Sequence, residues 1–287
     1  MKSLLRFLPF TIAALASGTA LAADYDPPIY VEQIAEEYKP VEIGNGWYLR
    51  GDVGYAFSIS PGTFNYRTFQ LLPPAYGAAT FDTGDLSTDI TYGIGFGYQF
   101  TDWLRADLTA DMFKGRFDGT TSAASPCVDP VLVPGYAGTT CRSEDTTEFT
   151  AFQTMLNGYV DLGTYAGFTP YVGAGVGATL VKWDDLNSSN FCVAGAGACP
   201  APGGVVATST HPGLDSWRFT YAFMGGLAYD VSRNLKIDLG YKYSRVDGGN
   251  MFGFDAGTAA AGASGTQGTD SGFDQHEVRI GLRYSLW

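Results

Sequence analysis

Trp47-Tyr48-Leu49-Arg50-Gly51-Asp52-Val53-Gly54-Tyr55-Ala56-Phe57-Ser58-Ile59 alternates with a period of two. Trp47, Leu49, Gly51, Val53, Tyr55, Phe57 and Ile59 form an apolar row, and Tyr48, Arg50, Asp52, Gly54, Ala56 and Ser58 a polar or small one. Successive side chains of an extended chain point to opposite faces, whereas a helix would repeat its apolar residues every three or four positions. The stretch therefore predicts a β-strand with one apolar and one polar face.

The alternation returns along the chain. Ile90, Tyr92, Ile94, Phe96, Tyr98 and Phe100 oppose Thr91, Gly93, Gly95, Gly97 and Gln99, and Leu104, Ala106, Leu108, Ala110 and Met112 oppose Arg105, Asp107, Thr109 and Asp111. Phe152, Thr154, Leu156, Gly158, Val160 and Leu162 oppose Gln153, Met155, Asn157, Tyr159 and Asp161. Val172, Ala174, Val176, Ala178 and Leu180 oppose Tyr171, Gly173, Gly175, Gly177 and Thr179. Trp217, Phe219, Tyr221, Phe223, Leu227 and Tyr229 oppose Arg218, Thr220, Ala222, Met224 and Asp230. Leu235, Ile237, Leu239, Tyr241 and Tyr243 oppose Lys236, Asp238, Gly240 and Lys242, and Val278, Ile280, Leu282, Tyr284 and Leu286 oppose Glu277, Arg279, Gly281, Arg283 and Ser285. Eight strands are predicted.

The apolar rows hold no Asp, Glu, Lys or Arg, and His276 is the only histidine near them. An Arg or Lys on a lipid-facing position at mid-bilayer costs about 2–4 kcal/mol, so rows free of charge are what a membrane-facing exterior requires. A soluble β-sandwich would instead turn its apolar rows inward. The connections discriminate. Residues 101–103, 163–167 and 232–234 are tight turns, while 60–87, 115–146, 182–216 and 247–272 far exceed the usual hairpin loop of about 2–5 residues. Short turns at one end and long connections at the other mark an outer-membrane β-barrel, with the short turns periplasmic. The expectation is an all-β, eight-stranded antiparallel transmembrane barrel of up-and-down topology. A ten-stranded version, adding a hairpin from residues 63–70, is the alternative. Two aromatic girdles are expected: Tyr98, Phe100, Trp103, Tyr165, Phe168, Tyr229 and Trp287 near the short turns, and Phe57, Phe149, Trp183, Trp217, Phe219 and Tyr243 near the long connections.

Composition agrees. Thirty-eight glycines in 287 residues are about twice the average usage of ~7%, and charged residues are only 16%. A net charge of -12 argues against nucleic acid as a partner. Past the N-terminus, no run is apolar for the ~20 residues of a spanning helix. Lys2 and Arg6, the apolar run from Phe7 to Ala16, and Ala20-Leu21-Ala22 read as a signal peptide over residues 1–22. Residues 23–46, with Pro27, Pro28, Pro40, Glu32, Glu36, Glu37 and Glu42, read as a periplasmic arm with one short helix near residues 31–38. The barrel would then occupy residues 47–287. Cys127, Cys141, Cys192 and Cys199 suit disulfides in an oxidising compartment; three pairings exist, and proximity favours Cys127–Cys141 and Cys192–Cys199. Without a CxxC or a histidine cluster, no metal site is expected.

The opening strand from Gly46 to Tyr55 and the closing strand Arg279-Ile280-Gly281-Leu282-Arg283-Tyr284-Ser285-Leu286 resemble those of small OmpA-like or opacity-protein-like outer-membrane surface proteins, closest to the Rhizobiales type of the alphaproteobacteria. The resemblance implies that Arg279, Gly281, Tyr284, Leu286 and the terminal Trp287 form the signal read by the outer-membrane insertion machinery. It also implies surface antigenicity and a role in envelope integrity. A peptidoglycan-binding domain after the barrel pattern is not expected.

An eight-stranded barrel is just wide enough for its own side chains to fill it. The inward rows carry Arg50, Arg105, Arg218, Lys236, Lys242, Arg279 and Arg283 against Asp52, Asp107, Asp111, Asp161, Asp230, Asp238 and Glu277. Buried charges must be paired, so this balanced set predicts a salt-bridged plug and a closed or poorly conducting barrel. The glycine runs at 93, 95, 97 and 173, 175, 177 would admit large side chains from facing strands. An enzyme is not expected: His211, before Pro212, reads as a surface loop residue, and no Ser on the same face completes a pair with His276. No cofactor is expected. The partners expected are outer-membrane lipid and lipopolysaccharide. Residues 64–81, with Tyr66, Phe69 and Leu71, offer aromatics either for a host-surface ligand or haem, or for packing among the loops.

Overall fold

A computed structural model describes residues 46–124, 126–127, 138–193, 199 and 203–286. The expected signal peptide, the arm up to residue 45 and Trp287 lie outside the described residues. The strands are β1 (Trp47–Pro61), β2 (Phe64–Gln70), β3 (Ala75–Thr80), β4 (Thr83–Thr88), β5 (Ile90–Gln99), β6 (Leu104–Ala123) and β7 (Thr140–Asp161). There follow β8 (Phe168–Trp183), β9 (Leu186–Val193), β10 (Val205–His211), β11 (Asp215–Asp230), β12 (Leu235–Gly253) and β13 (Thr266–Ser285), with one short helix, α1 (Ala256–Ala260), capped by Asp255.

Hydrogen-bonded pairing runs β1–β5–β6–β7–β8–β11–β12–β13 and returns to β1, every pair antiparallel. Closing the path removes the open edges that would otherwise invite pairing with another chain. These eight strands carry the alternations described above. Their apolar rows face outward: Leu156 is 60% exposed, Ile94 70% and Ile280 57%, while the intervening Asp52, Asp107, Asn157 and Asp238 are buried. Register puts the outward residues side by side, as in Leu108–Leu156–Val176 and Val53–Ile280–Leu239.

Two of the three short turns share one device. Thr101 Oγ1 accepts from the backbone N–H of Trp103 (3.3 Å) and Leu104 (3.0 Å), and Ser232 Oγ accepts from Asn234 (3.4 Å) and Leu235 (3.1 Å). A hydroxyl two residues back satisfies turn N–H groups that the ladder leaves free. The third turn uses left-handed backbone at Gly163 (φ 99°) and Gly167 (φ 84°).

Three expectations change. Among the described residues much of the long connections is strand: β6, β7, β12 and β13 extend beyond the outward apolar rows, and β2, β3, β4, β9 and β10 are added on them. The β2–β3 hairpin, covering residues of the ten-strand alternative, is not a member of the ring; β2 pairs with Gly268–Asp270 of β13 and sends Phe64 into the interior. Secondly, Ile59 leaves the outer row. An irregularity between Ala56 and Ser58 shifts β1 against β13, so Ser58 is exposed and Ile59 packs on the core. Thirdly, Phe149 and Trp183 are 1% and 5% exposed and belong to the interior, not to a girdle. Phe57, Trp217 and Phe219 at that level, and Phe100, Trp103, Tyr165, Phe168 and Tyr229 at the other, do stand on the outer face.

Candidate functional site

The inward rows meet inside the ring as a stack of ion pairs. At the short-turn rim, Lys236 Nζ lies 2.6 Å from Asp230, both partly exposed. Deeper, Arg105 pairs with Asp161 (3.1 Å) and Arg283 with Asp238 (3.0 Å). The Arg105 guanidinium also stacks 4.0 Å from the Tyr159 ring centre and 4.9 Å from that of Tyr171, which suits a weakly hydrated planar cation. Arg50 bridges Asp52 and Asp107 (2.8 Å each) and donates to Tyr159 Oη (2.9 Å). Tyr48 Oη and Asn157 Nδ2 also donate to Asp107, at 3.0 and 2.8 Å. Next, Asp111 takes Lys242 (2.8 Å) and Arg279 (2.9 Å), Arg279 also binds Glu277, and Thr91 donates to Glu277 (3.1 Å).

Thirteen of the fourteen charges expected in the lumen thus pair with one another. Arg218 departs: its partner is Asp270, at 2.7 Å, which the sequence reading did not place inside. Glycine makes the stack fit. A Cβ at Gly97 would approach Asp107 Cβ and Ala106 O to 2.6 Å, and one at Gly173 would approach Tyr159 Cδ1 to 2.5 Å. The cavity bounded by Arg50, Asp52, Tyr159, Asp238, Lys242 and Arg279 is only about 10 Å³, at the limit for one water molecule.

Beyond the ion pairs the interior turns apolar. Phe64, Phe113, Phe117, Phe149, Trp183 and Phe273 pack with Val181, Leu186, Val246, Met251 and Phe252. Phe149 and Trp183 are 4.8 Å apart, Phe64 and Phe117 4.7 Å. Phe64 and Tyr66 therefore pack among the long connections, while Leu71 and Leu72 remain exposed.

Over this aromatic layer lies a cavity of about 230 Å³ whose lining includes Tyr66, Phe81, Phe252, Asp145, Ser188 and His211. His211 is not a surface residue: it is 9% exposed, its Nδ1 lies 2.7 Å from Gln267 Oε1 and its Nε2 3.1 Å from Ser209 Oγ. The period of β10 puts Ser209 and His211 on one face, a pairing the sequence reading missed. A hydroxyl beside an imidazole begins nucleophilic chemistry, but acyl transfer also needs donors converging on an oxyanion. The neighbouring Ser143 and Ser188 hydroxyls donate to Asp145 instead, the first at 2.6 Å. The result is a hydrogen-bonded polar wall.

The outer membrane protein beta-barrel domain family matches residues 10–285. The chain belongs to this family. An uncharacterized protein of Brucella suis biovar 1 is 38% identical over 96% of this chain and 98% of that one. An adhesin-named protein of Rickettsia conorii is 26% identical over 85% of each chain. Neisserial surface protein A, a solved structure, covers 84% of this chain and 97% of its own, with 14% identity and a TM-score of 0.41. As a member of the barrel family the chain resides in the outer membrane of a Gram-negative bacterium, which suits its two disulfides, Cys127–Cys141 and Cys192–Cys199. Among the described residues no group of His, Cys, Asp and Glu is placed to hold a metal. Of the expected insertion signal, Tyr284 and Leu286 are on the outer face and Gly281 is buried against Asp52; Trp287 lies outside the described residues.

Proposed function

We propose that the ring is an eight-stranded transmembrane barrel, closed to solutes, that anchors a rigid β-structured surface outside the cell. The observation that carries this reading is the filled interior: ion pairs around a cavity of about 10 Å³, overlain by the aromatic layer of Phe117, Phe149 and Trp183. In this reading residues 1–22 are the signal peptide, 23–46 a periplasmic arm and 47–287 the barrel. The short turns face the periplasm, and the disulfides and added strands stand outside. The outward rows contact lipid and lipopolysaccharide, and Arg279, Gly281, Tyr284, Leu286 and Trp287 address the insertion machinery. The role is structural, in envelope integrity and as a surface antigen, and not enzymatic. Planar-bilayer recording of the purified protein tests it: baseline current with no stable steps is expected, and a large stable conductance would contradict it.

A second reading, loop-mediated adhesion, is favoured by the exposed Leu71, Leu72 and Tyr76 on the projecting β2–β3 hairpin and by the name of the Rickettsia relative. Labelled protein would bind host cells, and deleting residues 71–74 would abolish that binding; equal binding by both proteins would reject the hairpin as the contact.

A further inference from the structure

Asp145 of β7 is 3% exposed, and its carboxylate accepts hydrogen bonds from Ser143 and Ser188, the former also 2.7 Å from Thr121 Oγ1. The lumen carboxylates each meet an Arg or Lys; Asp145 makes no ion pair among the described residues. A buried carboxylate with hydroxyl partners alone retains an uncompensated charge. Burial accordingly pushes the Asp145 carboxyl above its ordinary range, with Ser143, Ser188 and His211 pulling it back. This carboxylate lines the cavity of about 230 Å³ together with Tyr66, Phe81 and Phe252. Tyr66 and Phe81 are in edge contact at 5.3 Å, and Phe81 and Phe252 at 6.3 Å, so the aromatic side is one continuous layer.

We infer that this cavity is a binding site for a small organic ammonium ion, the cationic nitrogen on Asp145 and the apolar body against Tyr66, Phe81 and Phe252. Carboxylate and aromatic rings both attract a cation, and the rings gain most where water is excluded. The chain's net charge of -12 raises the local concentration of cations over anions. The volume falls below the ~300–1,000 Å³ of sites for drug-sized ligands, which limits the occupant to a body of about one ring. The serine hydroxyls hold the carboxylate oriented before a ligand arrives, and His211, fixed between Ser209 and Gln267, closes the same wall.

Calorimetric titration of the full detergent-folded chain at pH 8 with benzylammonium, benzyl alcohol and benzoate tests the inference. Saturable binding of benzylammonium is expected, with benzyl alcohol at least tenfold weaker and no binding of benzoate. Asp145→Asn should weaken benzylammonium at least tenfold, whereas Glu144→Gln, on the neighbouring exposed carboxylate, should leave it unchanged. The comparison of the three probes needs no variant, so it decides even where Asp145→Asn fails to fold. Equal binding of benzyl alcohol, absence of benzylammonium binding, or unaltered binding by Asp145→Asn would overturn the assignment.

Discussion

At the scale of single residues, burial decides what each charge is worth. Asp111 is the common acceptor of Lys242 and Arg279, all three nearly excluded from solvent. Asp111→Ala leaves two buried cations short of a partner and should cost about 3–5 kcal/mol. Lys236→Ala removes a pair whose side chains are 24% and 33% exposed and should cost about 0–1 kcal/mol. Urea unfolding of the two variants in detergent measures both; equal costs would contradict the described burial. Asp145 lies beyond the proposed membrane span and behaves oppositely. Its raised folded value favours the protonated form, so its stabilising effect is complete below the ordinary carboxylate range near pH ~3.9 and is lost as pH rises through the folded value. Asp145→Asn should therefore equal wild type in acid and match or exceed it at pH 7, read by hydrogen exchange in β7 and β9. A variant less stable only at neutral pH would reverse the sign.

Elements show where a period-two reading of sequence holds and where it stops. Within the ring the alternating charged residues all turn to the inner side because the pleat runs without interruption from rim to aromatic layer. The alternation fails after an irregularity. In β13, Gln275, Glu277 and Phe273 face inward on one phase, while Gly268 and Asp270 do so on the other. Gly272, with φ 92°, sits at the change, and Asp270 beyond it reaches Arg218. The same event between Ala56 and Ser58 turns Ile59 inward. Neither break is marked by composition alone, since both sequences continue to read as strand. Phe149 and Trp183 were misplaced for a related reason: an aromatic at the end of an apolar row suits a girdle or an interior plug equally, and only the facing residues decide. The cavity around Asp145 was illegible because it joins β2, β6, β7, β9, β10, β12 and β13, pairings that no local pattern announces. Gly272→Ala tests the phase change: a Cβ at left-handed backbone, and close to Val246 O, should cost more than about 1 kcal/mol. Faster amide exchange is expected in the upper parts of β12 and β13, with β5 and β6 unaffected; uniform exchange rates would remove the proposed role of Gly272.

The described residues form an inside-out version of a soluble β-protein over the height of the ring, and a conventional one above it. Ion pairs fill the ring and apolar side chains cover it, while in the added strands Phe64, Phe117, Leu186 and Phe252 are turned inward. The sequence disclosed the first half, because charge-free outward rows are a strong constraint in lipid, and left the second as loops, because those segments alternate weakly. In the proposed barrel the outward rows meet acyl chains. Spin labels at Leu156, Val176 and Ile280 in reconstituted bilayers test this by collision with molecular oxygen, which concentrates in lipid, and with a nickel chelate, which stays in water. High oxygen and low nickel accessibility at all three sites is the predicted result; high nickel accessibility there would contradict it.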